Sequence, residues 1–309
     1  MSIKFTIAET LYNWSRRLGY VVPDVSAAAE IISGPSAPVN QMKIDNLEML
    51  TRQKNISAAV LYANINMTDF SDIVLSLEVK DIFRYINTIL LKLLPAIDQN
   101  NGETDSFSDA GVTALFSQDY RSALVSAISM CQEINTIKEP EFDFSSFTVG
   151  VCFGTVMIGV VGDGKSYSTL TISEYTGLSK YLQSIAGKYY SRILITGSYA
   201  ELIDDFSKRF SSRMIGYVYL TKLKKFEKLY DVYNGDTLEV RNKKRKTKLM
   251  FEKGVELFAE KNYDQARLHF VEVLKADRQD LAAKEYVYLC DKCASGEAGF
   301  SQRTYMEMW

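Results

Sequence analysis

The sequence predicts an α+β fold, a mainly antiparallel sheet layered with helices, followed by a helical hairpin toward the C-terminal end. Three stretches carry this reading. Residues 57–65, SAAVLYANI, form a nearly continuous apolar run with Asn64 near its end, as expected of a central strand buried on both faces. Val79 to Ile97 repeats apolar residues at helical spacing and reads as a long amphipathic helix. Glu103–Phe107 and Val112–Phe116 are short alternating runs joined by a tight Asp-Ala-Gly connection, the pattern of a β-hairpin whose tip could hold an ion.

The remaining elements fall around these in order. Phe5, Ile7, Ala8, Leu11, Trp14 and Leu18 predict a helix over 3–18, and Val25–Ile32 a second, short one. GPSAP at 34–38 breaks that pattern, so residues 1–40 read as a helical lead-in. Beyond the hairpin, Tyr120–Ile137 is a helix with Ala and Leu facing inward. Phe147–Val161 reads as two apolar strands punctuated by Gly150, Gly154, Gly159 and Gly162, and Ser173–Ala186 as a helix. ILIT at 193–196 is a short strand, Tyr199–Ile203 a short helix, and Met214–Leu220 and Phe226–Tyr233 are two closing strands. The order is β-α-β-β-α-β with additions, a ferredoxin-like arrangement expected to carry helices on one face of its sheet.

RNKKRKTK at 241–248 has the look of a solvated linker or a helix start. Past it, the spacing of Gly254, Phe258, Tyr263, Ala266, Phe270, Leu274 and Asp277 is that of a tetratricopeptide-like helical hairpin, with Leu281–Cys290 as a capping helix. This segment spans 247–293, and residues 294–309 form a tail. A single repeat of this kind buries its own faces poorly, so it is expected to dock on the preceding domain or on a protein partner.

Composition narrows the functional classes. With 309 residues and 47% hydrophobic content the chain can build a sizeable core, while a net charge of -2 argues against nucleic-acid binding. The first twenty residues contain Lys4, Glu9, Arg16 and Arg17 and no apolar block, so neither a signal peptide nor a membrane span is expected and the default location is cytoplasmic. Cys131 and Cys152 lie in apolar runs and read as core thiols. Cys290 and Cys293 have CxxC spacing, but no second Cys pair completes a zinc set and the single His269 sits in a helical pattern.

Residues 56–235 resemble the catalytic domain of class III nucleotidyl cyclases, the adenylate and guanylate cyclase family. VLYANI matches the strand that ends in a metal-binding aspartate, and NGETDSFSDAGVTALF matches the hairpin with the second aspartate. VGVCFGTVMIGVVG matches the glycine-punctuated strand pair, YSTLTISEYTGLSKYLQSIA the helix with the transition-state residues, and RILITGSYAELI the strand and helix after it. The resemblance implies a cyclase-type sandwich that works as a dimer, with two divalent ions held by the two aspartates.

Position by position, the resemblance implies lost chemistry. The first metal position falls on Asn64, a weaker ligand than carboxylate for a hard cation, and the second on Ala110, with Asp109 where the family has glycine. Asp109 is the one candidate metal ligand at the tip. The base-selecting lysine and aspartate fall on Ser106 and Ser168, and the ribose-orienting asparagine and charge-stabilising arginine on Gly177 and Tyr181. INMTDF, after the first strand, lacks the glycine of the phosphate loop. Both halves of the shared dimer site are thus altered. The reading that follows is a catalytically inactive cyclase-like regulatory or scaffolding subunit with no resident cofactor, pairing as a homodimer or heterodimer and contacting a protein through its helical tail. Two alternatives stand beside it: a sensor whose ligand sits among Asn64, Ser106, Asp109 and Ser168, and an active cyclase with atypical ligands for Mg or Mn.

Overall fold

The computed structural model describes residues 54–65, 78–108, 111–139, 144–162 and 167–295. The lead-in over 1–40, the INMTDF loop beyond Ile65, the hairpin tip at Asp109 and Ala110, and the tail from residue 296 lie outside the described residues. In chain order the elements are β1 (Lys54–Ile65), α1 (Val79–Asp98), β2 (Glu103–Ser108), β3 (Gly111–Phe116), α2 (Arg121–Ile134), β4 (Phe147–Gly162) and β5 (Tyr167–Ile172). They continue with α3 (Glu174–Ala186), β6 (Ile193–Thr196), the single turns α4 (Gly197–Ala200) and α5 (Phe206–Arg209), β7 (Ser212–Leu220), β8 (Lys225–Val232), α6 (Leu238–Ala259), α7 (Tyr263–Ala276) and α8 (Leu281–Ala294).

The strands form one sheet in the order β2-β3-β1-β4-β6-β8-β7, with β5 paired to the far half of β4. The predicted β-α-β-β-α-β order appears as β1-α1-β2-β3-α2-β4. Pairing is antiparallel except between β4 and β6, where Val149 faces Ile193 in parallel register. β1 is central: it pairs along its whole length with β4, from Lys54 opposite Ile158 to Ile65 opposite Phe147, and with β3 on its other side.

Two expectations about the layers are corrected. Phe147–Val161 falls within a single 16-residue strand, β4, rather than two strands, and the strand that turns back on its far end is β5, to which the sequence reading assigned no element. Its Leu170 and Ile172 are exposed, so β5 lacks the buried alternation that marks a strand. Helices also cover both faces of the sheet, not one. Ala59, Leu61, Ala63 and Ile65 of β1 share a core with α1 and α2, while Ala58 and Val60 share another with α3 and α6–α8. The two-residue period of a strand explains both cores, since successive side chains point to opposite faces.

Glycines let α3 lie close on its face. A Cβ on Gly150 would sit 2.1 Å from the Ser179 carbonyl oxygen and 2.6 Å from the Gln183 nitrogen, and one on Gly154 would meet the Tyr175 ring at 2.0 Å. Between them Cys152 donates its thiol to the Tyr175 carbonyl at 3.2 Å. Burial raises the pKa of both core thiols, that of Cys131 to about 12, so Cys131 and Cys152 behave as apolar packing.

The basic run 241–248 is the first half of α6, and it is not wholly solvated. Lys244 is buried, and its ammonium pairs with Asp231 at 2.9 Å and Asp236 at 2.7 Å. A second buried cation, Arg213 on β7, bonds Asp231 at 3.1 Å and makes a two-pronged contact with Asp280, the N-cap residue of α8. Burial alone would lower the pKa of Arg213, but the two carboxylates outweigh it and the net shift is upward. Phe251 stacks under the same guanidinium at 4.3 Å. The helical segment is therefore joined to the sheet by its core rather than hung from a linker.

It also closes one end of the sheet. Met214 donates its backbone N–H to Glu252 of α6 at 2.8 Å, and Tyr286 of α8 donates its hydroxyl to the Ile215 carbonyl at 2.7 Å. Gly216 sits at φ +150 in the adjoining bulge, where a side chain would meet the Tyr286 hydroxyl at 2.6 Å. No helix among the described residues is long and apolar enough to cross a membrane.

Candidate functional site

The residues to which the sequence assigned chemistry sit on three elements. Asn64 ends the buried part of β1 on the face toward α3 and is 0% exposed. Its Nδ2 donates to the Tyr62 hydroxyl at 2.8 Å, and its Oδ1 accepts the backbone N–H of Ile65 at 2.8 Å. Tyr62 lies two residues earlier on the same face, because strand side chains repeat every second residue. Gly111, at the foot of the hairpin, completes the crowding: a Cβ there would be 2.7 Å from Asn64 Cγ and 2.8 Å from the Tyr62 hydroxyl. The crease at Asn64 is thus filled by protein atoms.

Behind it stands Gln183 of α3. Its side-chain amide donates to the Asn64 carbonyl at 3.2 Å and to the Thr148 hydroxyl at 2.9 Å, and Thr148 in turn donates to the Gln183 carbonyl at 3.0 Å. One turn earlier, the Lys180 ammonium lies 5.2 Å from the centre of the Tyr62 ring. Tyr62, Lys180 and Gln183 are the neighbours that sequence reasoning missed. Only Tyr62 carried a readable signal, its two-residue offset from Asn64 in a strand.

The other positions do not converge on Asn64. Gly177 and Tyr181 follow one another by a turn on α3, each partly buried. Tyr181 packs against the core on that face, and burial raises its hydroxyl pKa to about 12, so it is neutral at ordinary pH. Ser106 lies on the edge strand β2, opposite Thr113, which is itself opposite Tyr62. That places it two strands, roughly 10 Å, from β1. Its hydroxyl donates to the Asp105 carboxylate at 3.0 Å, and Thr171 of β5 donates to the other oxygen of the same carboxylate. Ser168 is placed by its backbone alone, opposite Val161 on β5. Asp109 and Ala110 lie outside the described residues.

This donor set does not suit a pair of divalent ions. Both ends of the Asn64 side-chain amide are engaged within the protein, by the Tyr62 hydroxyl and the Ile65 N–H, and the Gln183 carboxamide bonds its backbone carbonyl. Among the described residues no three His, Cys, Asp or Glu side chains come together as a metal group. Cys290 and Cys293 follow the same rule: Cys290 is buried in the helical core, and its pKa is raised to about 12, chiefly by burial.

Comparison with known proteins places this geometry. No family model matches the chain. Over 244 residues, 76% of its length, the chain is 25% identical to a terminal-differentiation-specific adenylate cyclase of Dictyostelium discoideum, and it spans 11% of that protein. A bacterial light-regulated adenylyl cyclase superposes on 75% of this chain and 64% of its own, with a TM-score of 0.52 at 13% identity. The guanylyl cyclase Cya2 covers 58% of this chain and 92% of its own at a TM-score of 0.48 and 17% identity. The chain is therefore similar in sequence to an adenylate cyclase and has the α+β fold of a cyclase catalytic domain, continued into helices at its C-terminal end.

Proposed function

We propose that this chain is a cyclase-like protein that forms no cyclic nucleotide and acts as a regulatory or scaffolding subunit, pairing with its own copy or another cyclase-type chain. One observation carries the reading: Asn64, at the position of a metal-binding aspartate, is buried with its amide spent on Tyr62 and Ile65. Two-metal phosphoryl transfer needs carboxylate oxygens free to hold the ions. Tyr181 adds to it, since a neutral phenol cannot replace the guanidinium that would offset developing phosphate charge.

A ligand seat built on Asn64, Ser106, Asp109 and Ser168 has less support, because Asn64 and Ser106 are bonded to different neighbours two strands apart. Partner contacts through the helical segment would use its outer surface, where Leu249 and Leu268 are exposed, since the inner one is packed on β7. The test is direct. The purified chain is incubated with ATP or GTP and Mn, and product is measured beside an Asn64→Ala variant. Neither protein is expected to exceed the buffer blank; product from the wild type that falls in the variant would overturn the proposal.

A further inference from the structure

The hairpin of β7 and β8 turns through TKLKKFEK, residues 221–228, a stretch with four lysines and a single acid. β6 stops at Thr196, opposite Leu229, so the last cross-strand pairs of the hairpin, from Tyr217–Lys228 to Leu220–Lys225, run past that neighbour. Val218 and Leu220 turn inward and pack in the core shared with the helices. Strand alternation sends Tyr219, Phe226 and Lys228 to the other face.

Two features of this end are unfavourable in water alone. Phe226 is 65% exposed, and its ring contact among the described residues is Tyr219, with centroids 4.9 Å apart. Lys224 sits at φ 50, a left-handed turn position that glycine or asparagine fills at lower cost. The acid of the stretch does not offset the lysines at the tip. Glu227 is buried, accepts the Ser198 N–H at 2.8 Å and hydroxyl at 2.9 Å, and pairs with Lys225 at 3.0 Å. Lys224 and Lys228 are exposed, and among the described residues neither makes an ion pair.

We infer that this end of the hairpin docks on a membrane surface bearing anionic phospholipid, with the Phe226 ring entering the headgroup layer and Lys224 and Lys228 meeting lipid phosphates. An apolar ring among unpaired ammoniums matches such a surface in both respects: the ring leaves water, and the long lysine stems keep their charges at the interface. A nucleic-acid strand asks instead for a charged groove along its length, whereas this is a tip two strands wide. The chain as a whole carries a net charge of -2, so the attraction belongs to this patch rather than to the molecule. One ring and a few charges give reversible, salt-sensitive attachment rather than anchoring.

Vesicle flotation of the full chain tests the inference. The protein should rise with vesicles of phosphatidylcholine mixed with phosphatidylserine and stay behind with phosphatidylcholine alone. Salt at about 1 M, where the screening length is about 3 Å, should release it. Lys224→Gly, which glycine's freedom at that φ favours, and Lys228→Gln should each weaken binding roughly fivefold. Phe226→Ser should weaken it while leaving the salt dependence in place. All three changes are at exposed positions, so an unchanged Tm should accompany them. If one variant does not fold, the other two carry the test. No flotation with the anionic vesicles, equal flotation with phosphatidylcholine alone, binding that survives the substitutions, or tighter retention by a single-stranded oligonucleotide than by the vesicles rules the inference out. Because no turnover is measured, the outcome is independent of whether Asn64 supports catalysis.

Discussion

Asp280→Ala is the sharpest probe of how the helical segment is held. Asp280 does two things: it pairs with Arg213 in a fully buried contact, and it caps α8 by accepting the Ala283 N–H at 3.1 Å. Deleting one partner of a buried ion pair costs about 3–5 kcal/mol, because the other charge is left without compensation. Loss of a helix N-cap adds about 1 kcal/mol. Asp231 still holds Arg213 and Phe251 still stacks on it, so the lower part of the range applies, about 4 kcal/mol in all. For a domain of 150–250 residues that is a fall in Tm of roughly 10 °C. Urea unfolding followed by circular dichroism would read it, with Asp280→Asn recovering about 1 kcal/mol because an amide oxygen still caps the helix. A loss under about 1 kcal/mol would refute the reasoning. So would an early separate transition that leaves the sheet's midpoint unmoved, since it would mean that helices and sheet do not unfold as one unit.

Further outcomes follow from the same structure. Gly150→Ala should cost more than Gly154→Ala, upward of about 2 kcal/mol by chemical denaturation, because its Cβ meets α3 backbone rather than a ring that can turn. In a thiol-reagent assay at pH 8, Cys131 should stay silent until the protein is unfolded: a pKa near 12 leaves about one thiolate in ten thousand. Cys293, half-exposed at the end of α8, should react first. Ultraviolet titration of wild type against Tyr181→Phe should assign to this position a phenol that ionises near pH 12, above the ordinary value of 10. Gln183→Leu should cost about 1–3 kcal/mol, since it leaves the Asn64 carbonyl and the Thr148 hydroxyl without their buried donor.

Much of the layer was legible because burial writes itself into residue order. β1 is apolar on both faces and so reads as a strand without alternation, and α1 shows its single apolar stripe. What stayed hidden depended on contacts between distant parts. β5 carries its outward Leu170 and Ile172 in the open and turns Thr171 to Asp105, a pairing no local pattern announces. The side of the sheet that each helix takes is likewise invisible in a linear pattern. Lys244 looked like any member of a basic run, and only Asp231 and Asp236, brought from β8 and the turn after it, make it a core residue. At the candidate site the sequence located Asn64 and its lost charge. The Tyr62 hydroxyl that occupies its amide follows from strand geometry, whereas Gln183 comes from a helix more than a hundred residues away.

The cap that Glu252 and Tyr286 place on β7 makes the two ends of the sheet unequal. Strand-to-strand growth, whether into a paired assembly or an unwanted aggregate, is hindered at the start of that border, because the Met214 N–H and the Ile215 carbonyl are already claimed by helices. The opposite border, β2, bears Glu103 and Asp105 instead of a covering helix, and charge is its guard. Among the described residues, a second chain that extended this sheet would find β2 guarded by charge rather than by a helix, and neutralising Glu103 is the change that would ease its approach there.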